Sequence, residues 1–419
     1  ITLSTLLLGV MSCFAKRFVQ IALMVVITLS FIWGTVGIGL SPKNVVPITG
    51  IIALALSVAY AIIVWDRIPF AASNLVTALS AIRAFPGTIL VALFFQLLGC
   101  GWCIFYAVIV FGVYDSIQDG QIELSHRMTI FAYVALGVSF YWTYQVLLNV
   151  VQVATAGVIG SWWFMPDGEH TVKKSSFKTI FYSMGSVCFG SLFVGPVRVV
   201  RQISVLFRPS SDEASLLCLH ECLQCFRTCI TTCVEGLAAR FNPWAFTYVG
   251  LHGYGFLEAG QMATELFDKR GWTTIVSDDL VPNVLLMTSL VVGGVTGCFG
   301  YMLAGMDGLH VTSVEEPHLV CFLIGIIIGL VVTSIIFGAI SSSVNAVIVC
   351  FATSPVDFEQ NHPELSRNMR DAWRSVWPGA LDVVDMHLAL ADAQSSAAPT
   401  PTGIYGKTMM NDPTMVPLL

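Results

Sequence analysis

The chain has 419 residues, of which 56% are hydrophobic and only 11% are charged. A soluble globular domain carries about 25% charged residues, so this composition indicates an integral membrane protein without a large soluble catalytic domain. The formal net charge of −6 is modest and argues against nucleic acid as a partner.

A series of apolar runs is long enough to enter or cross a bilayer. The runs cover residues 1–15, 18–40, 46–65, 87–114, 128–164, 179–200, 281–305 and 319–350. Each must be helical, because backbone groups in hydrocarbon need internal hydrogen-bond partners and no alternating barrel pattern is present. The predicted fold class is therefore all-α, a polytopic transmembrane helix bundle over residues 1–352. Since Ile1 already lies inside an apolar run without a charged leader, we expect that an N-terminal region is missing.

The charges of the short loops predict which loops share a side of the membrane. The turn at 15–17 and the segment 66–86 contain basic residues and are predicted to be cytoplasmic. Apolar positions in 66–86 recur at helical spacing, so we predict an amphipathic helix on the inner membrane surface. The loops 114–126 and 306–318 are acidic and fit the outside. This leaves 353–419 as a cytoplasmic tail, with a Pro/Thr-rich end that we expect to be disordered.

The run from Met128 to Phe164 contains no charged side chain over about 37 residues. As one helix it would be roughly 55 Å long, whereas the hydrocarbon core of a bilayer is about 30 Å thick. If the run is broken into two half-spans, 165–178 lies outside and 201–240 is cytoplasmic. If it is one tilted span, 165–178 lies inside, 201–240 outside, and 243–265 must itself enter the membrane. Lysines in 165–178 favour the tilted span, but arginines and unpaired thiols around 201–240 favour the half-spans, which we prefer.

The segment 201–240 is predicted to be amphipathic and contains five cysteines at helical spacing. They are Cys218, Cys222, Cys225, Cys229 and Cys233. A zinc site would need paired C-x-x-C units or added histidines, and only Cys222 and Cys225 fit. S-acylation at the membrane surface is a second interpretation. A buried thiol face is the third, and we adopt it, so no metal site is predicted.

The interiors of the apolar runs lack Asp, Glu, Lys and His. Coupled transporters usually place such a residue there, so the pattern argues against an ion pump. No Ser-His-Asp, HExxH, Walker or GxGxxG pattern is present either. The sequence therefore predicts neither an enzyme nor a bound cofactor.

Aromatic side chains offer another means of holding an organic cation. A quaternary ammonium is attracted to ring faces by roughly 0.5–2 kcal/mol per contact, and amides in the middle of a span could meet a hydroxyl. The candidate path residues are Tyr141, Trp142, Tyr144, Gln145, Asn149, Gln152, Trp102 and Tyr106, with Phe105 beside them. The competing interpretation is core packing and interhelical hydrogen bonding.

Two features near the end of the same run complete the prediction. Gly157 and Gly160 are the candidate flexible joint, or hinge. Trp162, Trp163 and Phe164 stand at the end of the span and are predicted to form an interfacial aromatic belt.

Several sequence blocks, in this order, resemble the choline transporter-like protein family, most closely its fungal and protist branch. STLLLGVMSCFAKRFVQIAL resembles the family's paired spans joined by a basic turn. RIPFAASNLVTALSAIRAFPGTILVALFF resembles its inner amphipathic helix and the following span. YWTYQVLLNVVQVATAGVIGSWWF and YSMGSVCFGSLFVGPVRVVR resemble its two most distinctive blocks. RFNPWAFTYVGLHGYGFLEAG resembles its Asn-x-x-Ala-[YF] block, here Asn242, Ala245 and Phe246.

The resemblance implies about ten spans in the full protein and about nine in this chain, with both ends in the cytoplasm. It implies movement of choline or a related amine, by alternating access and without ion coupling. The membrane would be the plasma membrane, with an organellar membrane as the alternative. The predicted partners are a choline-like cation and the lipid bilayer, and no oligomeric state is indicated. The alternative functions are a non-transporting scaffold or lipid-interacting protein, and a pore for small solutes.

Overall fold

The computed structural model describes residues 17–32, 35, 45–118, 125–165, 171–206, 236, 240–277, 279–305 and 317–397. Every regular element in these ranges is a helix, which confirms the predicted all-α class. The helices are α1 Arg17–Ile32, α2 Val45–Val64, a 3-10 turn Trp65–Arg67, α3 Ile68–Ala84, α4 Gly87–Gln118, α5 His126–Phe164, α6 Thr171–Phe181, α7 Met184–Leu206, α8 Trp244–His252, α9 Phe256–Arg270, α10 Thr273–Ser277, α11 Val281–Ala304, α12 Pro317–Thr353, α13 Pro355–Asn361, α14 Pro363–Val376 and α15 Asp382–Ala397.

Five of the described helical stretches are long and apolar enough to cross a bilayer. They are Gly50–Ala84, Gly87–Ile117, Arg127–Phe164, Val281–Ala304 and His318–Thr353. α6 and α7 form a sixth candidate only if one span contains the 69° bend between them. The run predicted at 1–15 and most of 201–240 lie outside the described residues, so the total number of spans stays a prediction.

α5 is one unbroken helix of 39 residues, so our preferred interpretation of two half-spans is wrong. Its C-terminal end contacts residues that follow α12, because the Asn361 side chain donates a hydrogen bond to the carbonyl of Trp163 (2.8 Å). α8, which lies within 243–265, buries most of its side chains among other helices. Both observations agree with the alternative of one tilted span, in which 165–178 lies inside with the tail; whether 243–265 enters the membrane and 201–240 lies outside stays a prediction.

The helices after α12 cover the C-terminal end of α5. Trp162 and Trp163 are only 4% and 0% exposed, so the prediction of an interfacial belt is wrong for these two residues. The ring of Trp163 stacks on Phe358 of α13 at 4.1 Å between centroids, and that of Trp162 stacks on His362 at 4.0 Å. Large rings at a span end are typical of a lipid interface, but here protein covers them.

α3 is the helix predicted for 66–86, and a proline in its first turn suits a helix start. It packs against α12 and α14, so protein covers much of its apolar face; its position at the membrane surface stays a prediction. The indole Nε1 of Trp373 in α14 donates to Asn74 Oδ1 of α3 (2.9 Å). The tail therefore begins as a folded layer; beyond Ala397 it lies outside the described residues.

Asp279 precedes α11 and accepts a hydrogen bond from the Val281 N–H (3.1 Å). Burial raises the pKa of its carboxyl to about 6, above the value of about 3.9 in an unfolded chain. The native state then binds the proton more tightly, so this carboxyl lowers stability as pH rises through that window. We expect Asp279→Asn to stabilise the protein by about 1–2 kcal/mol at pH 7.5 and to have little effect near pH 4. Thermal melting at the two pH values checks this, and an equal gain at both would contradict it.

Candidate substrate path

The centre of α5 carries the predicted polar and aromatic side chains. At about 100° per residue, Tyr141, Gln145 and Gln152 share one face of the helix, while Trp142 and Tyr144 point to either side of it. The helices packed around α5 include α4, α7 and α12. Different members of the predicted set meet different helices, so the set does not converge on one point.

Rings from α4 and α5 form a continuous aromatic row, which we define as Trp102, Tyr106, Phe140 and Tyr144. The ring centroids of Trp102 and Tyr106 are 6.0 Å apart, and those of Tyr106 and Phe140 are 4.7 Å apart. Phe140 and Tyr144 are nearly parallel at 6.1 Å. Three of the predicted residues thus lie together, and Phe140 is a member that the sequence interpretation missed. Phe105 neighbours Trp102 but is largely exposed.

The aromatic row ends at polar groups of α12. The Tyr144 hydroxyl donates to the carbonyl of Val331 (3.1 Å) and forms a short hydrogen bond with the Ser334 hydroxyl. At the other end, the Trp102 Nε1 and the Tyr106 hydroxyl are buried without a hydrogen-bond partner among the described residues. A buried donor without a partner costs about 1–3 kcal/mol, and such groups call for a ligand or a water molecule.

A second group of predicted residues connects α5 to α7. The Trp142 Nε1 donates to the carbonyl of Cys188 (2.9 Å), and the Asn149 amide donates to the Ser191 hydroxyl (2.9 Å). The Tyr141 hydroxyl occupies the space that a Cβ on Gly195 would need. These contacts fix the α5–α7 pair and separate Trp142 from the aromatic row.

The two glutamines of α5, Gln145 and Gln152, belong neither to the aromatic row nor to the α5–α7 contacts. The Gln145 side chain is half-buried, and no hydrogen bond to it is found among the described residues. The Gln152 amide faces Gly338 of α12, 3.5 Å from a Cβ placed there, while its backbone carbonyl accepts from the Ser342 hydroxyl (2.7 Å). Partly exposed amides between two neighbouring helices suit the lining of a polar path, a role that stays a prediction.

The predicted hinge residues lie inside the unbroken part of α5. A Cβ on Gly157 would lie 2.4 Å from the Ser175 hydroxyl and 3.1 Å from the Gly250 carbonyl, and one on Gly160 would lie 2.4 Å from a Leu251 methyl. Both positions therefore serve close approach of α6 and α8 in this conformation. A hinge role for them stays a prediction.

No group of three or more His, Cys, Asp or Glu in the described parts of the chain could hold a metal ion. The five cysteines at 218–233 lie outside those parts, so the thiol-face interpretation stays a prediction.

The profile of the plasma-membrane choline transporter family matches residues 48–356. The chain belongs to this family. The match contains the aromatic row and the α5–α7 contacts, and it stops where α13 begins. With several candidate spans, the chain is a multi-pass membrane protein.

Curated relatives come from fungi and from a protist, as the resemblance indicated. Protein PNS1 of Gibberella zeae is 24% identical over 334 residues, which are 76% of this chain and 62% of that protein. Protein PNS1 of Mycosarcoma maydis is 25% identical over 324 residues, 75% of this chain and 60% of that protein. A CTL-like protein of Dictyostelium discoideum is 22% identical over 341 residues, 80% of this chain and 56% of that protein. The chain thus spans less than two thirds of the length of these relatives.

The family's Asn-x-x-Ala-[YF] block joins α8 to α9. Asn242 accepts a hydrogen bond from the Ala245 N–H (2.9 Å) and donates to the Gly260 carbonyl (3.0 Å). Ala245 is fully buried, and the Phe246 ring packs on Phe256 at 5.0 Å. The block therefore starts one short helix and attaches it to the next, a structural role that the sequence alone did not indicate.

Gln96 of α4 is a polar residue that the sequence interpretation missed. It is fully buried, its Nε2 donates to the Val332 carbonyl of α12, and its Oε1 has no partner among the described residues. It lies one turn from Gly99, whose Cβ would be 3.9 Å from the Tyr144 ring. The available signal was that Gln96 is the one amide in the run 87–114.

Proposed function

We propose that this family member moves choline or a related substituted ammonium across a membrane, facilitatively and by alternating access. The observation that carries the proposal is the aromatic row between α4 and α5. No acidic side chain occurs inside the apolar runs, so a permeating cation must be stabilised by something other than a carboxylate. Ring faces provide that stabilisation for a cation that cannot donate conventional hydrogen bonds. The plasma membrane, which the family description names, is the proposed location.

The polar groups beside the aromatic row can bind the hydroxyl group of choline, as the rings bind its ammonium group. The Trp102 Nε1, the Tyr106 hydroxyl and the Gln96 Oε1 are buried without partners among the described residues. A hydroxyl such as that of choline can accept from the Trp102 Nε1 or the Tyr106 hydroxyl, and at the Tyr144 end of the row it can donate to the Gln96 amide oxygen. We propose that this mixture of rings and free polar atoms lines the path when it opens, together with Gln145 and Gln152.

Uptake of labelled choline and ethanolamine into proteoliposomes tests the proposal. We expect saturable choline uptake, and we expect Tyr106→Leu to raise its KM roughly 3- to 30-fold, because one ring contact is worth about 0.5–2 kcal/mol. The matched control is Phe111→Leu, an exposed ring on the same helix, which should leave KM unchanged.

Three other outcomes would contradict the proposal. Uptake without saturation would favour a pore, and the absence of uptake for both amines would favour a scaffold or lipid-interacting protein. Equal effects of the Tyr106 and Phe111 substitutions would remove the aromatic row from the path.

A further inference from the structure

Two helix breaks meet beside α5. The chain bends by 69° between α6 and α7, and it turns between α8 and α9 at Gly253, whose φ is +79°. The starts of α7 and α9 are in contact, since a Cβ on Gly190 would lie only 2.4 Å from the Phe256 ring. In transporters, discontinuous helices are where substrates and ions are bound.

A cavity of about 410 Å³ lies between the starts of α7 and α9. It is lined by Gly185, Ser186, Phe189, Gly255, Phe256, Leu257 and Glu258. The rings of Phe189 and Phe256 meet edge to face at 6.3 Å, so an aromatic surface forms part of its wall. It is an open surface groove and not an enclosed pocket, so a molecule bound there stays partly in contact with its surroundings.

Glu258 is the charged residue of this lining. Its side chain is exposed, and no ion pair to it occurs among the described residues. Gln261, Glu265 and Lys269 extend the same polar face of α9. A solute can therefore reach the cavity from water along α9.

The local charges distinguish between an anionic and a cationic ligand. The N-termini of α7 and α9 would attract an anion if they stood alone, and Lys178 lies near the break, with its Nζ 3.6 Å from a Cβ placed on Gly253. Within the lining the charged side chain is Glu258, which stands in the first turn of α9, so its carboxylate offsets the positive partial charge of that helix start. A carboxylate beside ring faces matches a cation with an apolar shell.

We propose that this cavity binds a substituted ammonium, with Glu258 as the counter-charge and Phe189 and Phe256 as the aromatic wall. The inference rests on the proposed function for its substrate class, and it adds a site outside the aromatic row. Because the groove is open, a cation can bind there without first entering the path between α4 and α5.

Binding and uptake of labelled choline, measured separately on the purified full chain, test this site. We expect Glu258→Gln to weaken equilibrium binding roughly 2- to 5-fold, as for a solvent-exposed ion pair. Phe189→Leu should weaken it by a similar factor. Glu265→Gln on the same helix neutralises an exposed carboxylate outside the cavity and should leave binding unchanged. Melting temperatures of all variants should match the parent, because the changed groups are not fully buried.

The outcomes separate the site from transport. Glu258-dependent binding without uptake would support the cavity site and overturn the proposed transport. Uptake with binding that is insensitive to both cavity substitutions would overturn the site and leave transport standing. Equal loss in the Glu258 and Glu265 variants would overturn the site, because it would reflect general surface charge. Displacement of labelled choline by inorganic phosphate at the same site, or no choline binding at all, would also overturn it.

Discussion

Replacing Trp373 by alanine is expected to destabilise the protein by about 3–5 kcal/mol, as for other large-to-small changes in a packed core. Trp373 is fully buried, and its ring centroid lies 4.8 Å from Phe70, 4.9 Å from Trp272 and 5.2 Å from Phe351. The change opens a cavity among these rings and also leaves Asn74 Oδ1 without its donor. Thermal melting of the purified protein should show a large drop, together with aggregation on size exclusion.

The matched control is Trp65→Ala, because Trp65 is an exposed indole at the start of the same α3 region. It should change the melting temperature little. If Trp373→Ala melted like the parent, the tail layer would not be packed on α3, and residues beyond Thr353 would be a separate unit.

Gly250→Ala is expected to cost about 2–3 kcal/mol, as overpacking does in a close-packed interior. A Cβ on Gly250 would lie 2.4 Å from the Val153 carbonyl and 2.8 Å from the Ala156 Cβ. Both are atoms of α5 that no rotamer change can move, so α8 must shift away from α5. The melting temperature should fall, and choline uptake should fall with it, since α8 leads into the break at Gly253.

Gly137 on α5 provides the control, because a Cβ there meets nothing within 4 Å. Gly137→Ala should be neutral or slightly stabilising, given the helix propensity gain of up to about 1 kcal/mol.

The predicted hinge is tested by Gly157→Ala in the same series. A hinge predicts slower uptake at an unchanged melting temperature, whereas close packing against Ser175 and Gly250 predicts that both fall together. An unaffected Gly250→Ala protein would contradict the α5–α8 contact itself.

The fold class and most of the spans could be predicted from the sequence. Long uncharged runs enter hydrocarbon, where the backbone can satisfy its hydrogen bonds within the segment only as a helix. The mistake at 128–164 came from its length. The run is longer than a bilayer is thick, and the C-terminal end of α5 packs against α13 and the residue before α14. Trp162 and Trp163 were interpreted as interfacial because they stand at the end of this run. The sequence pattern cannot show that a segment almost two hundred positions later covers them.

The site was predicted less well, because membership of one helix does not decide which neighbour a side chain meets. Tyr144 lies in the same aromatic row as Trp102 and Tyr106, as predicted. Trp142 turned instead to Cys188 of α7. The breaks at 182–183 and 253–255 were also missed. For the second break a signal was present, since Gly253 and Gly255 flank Tyr254, but the hinge was predicted at the glycines of α5.

The hydrogen bond from Asn361 to the carbonyl of Trp163 joins residues 198 positions apart. It has a consequence for biosynthesis. The C-terminal end of α5 leaves the ribosome long before α12 does, so its last carbonyls and both indoles must wait, uncovered, until the whole membrane region and the first tail helices have been made. A chain that ended at residue 356, where the family match stops, would lack Phe358, Asn361 and His362 and would leave these groups without their partners.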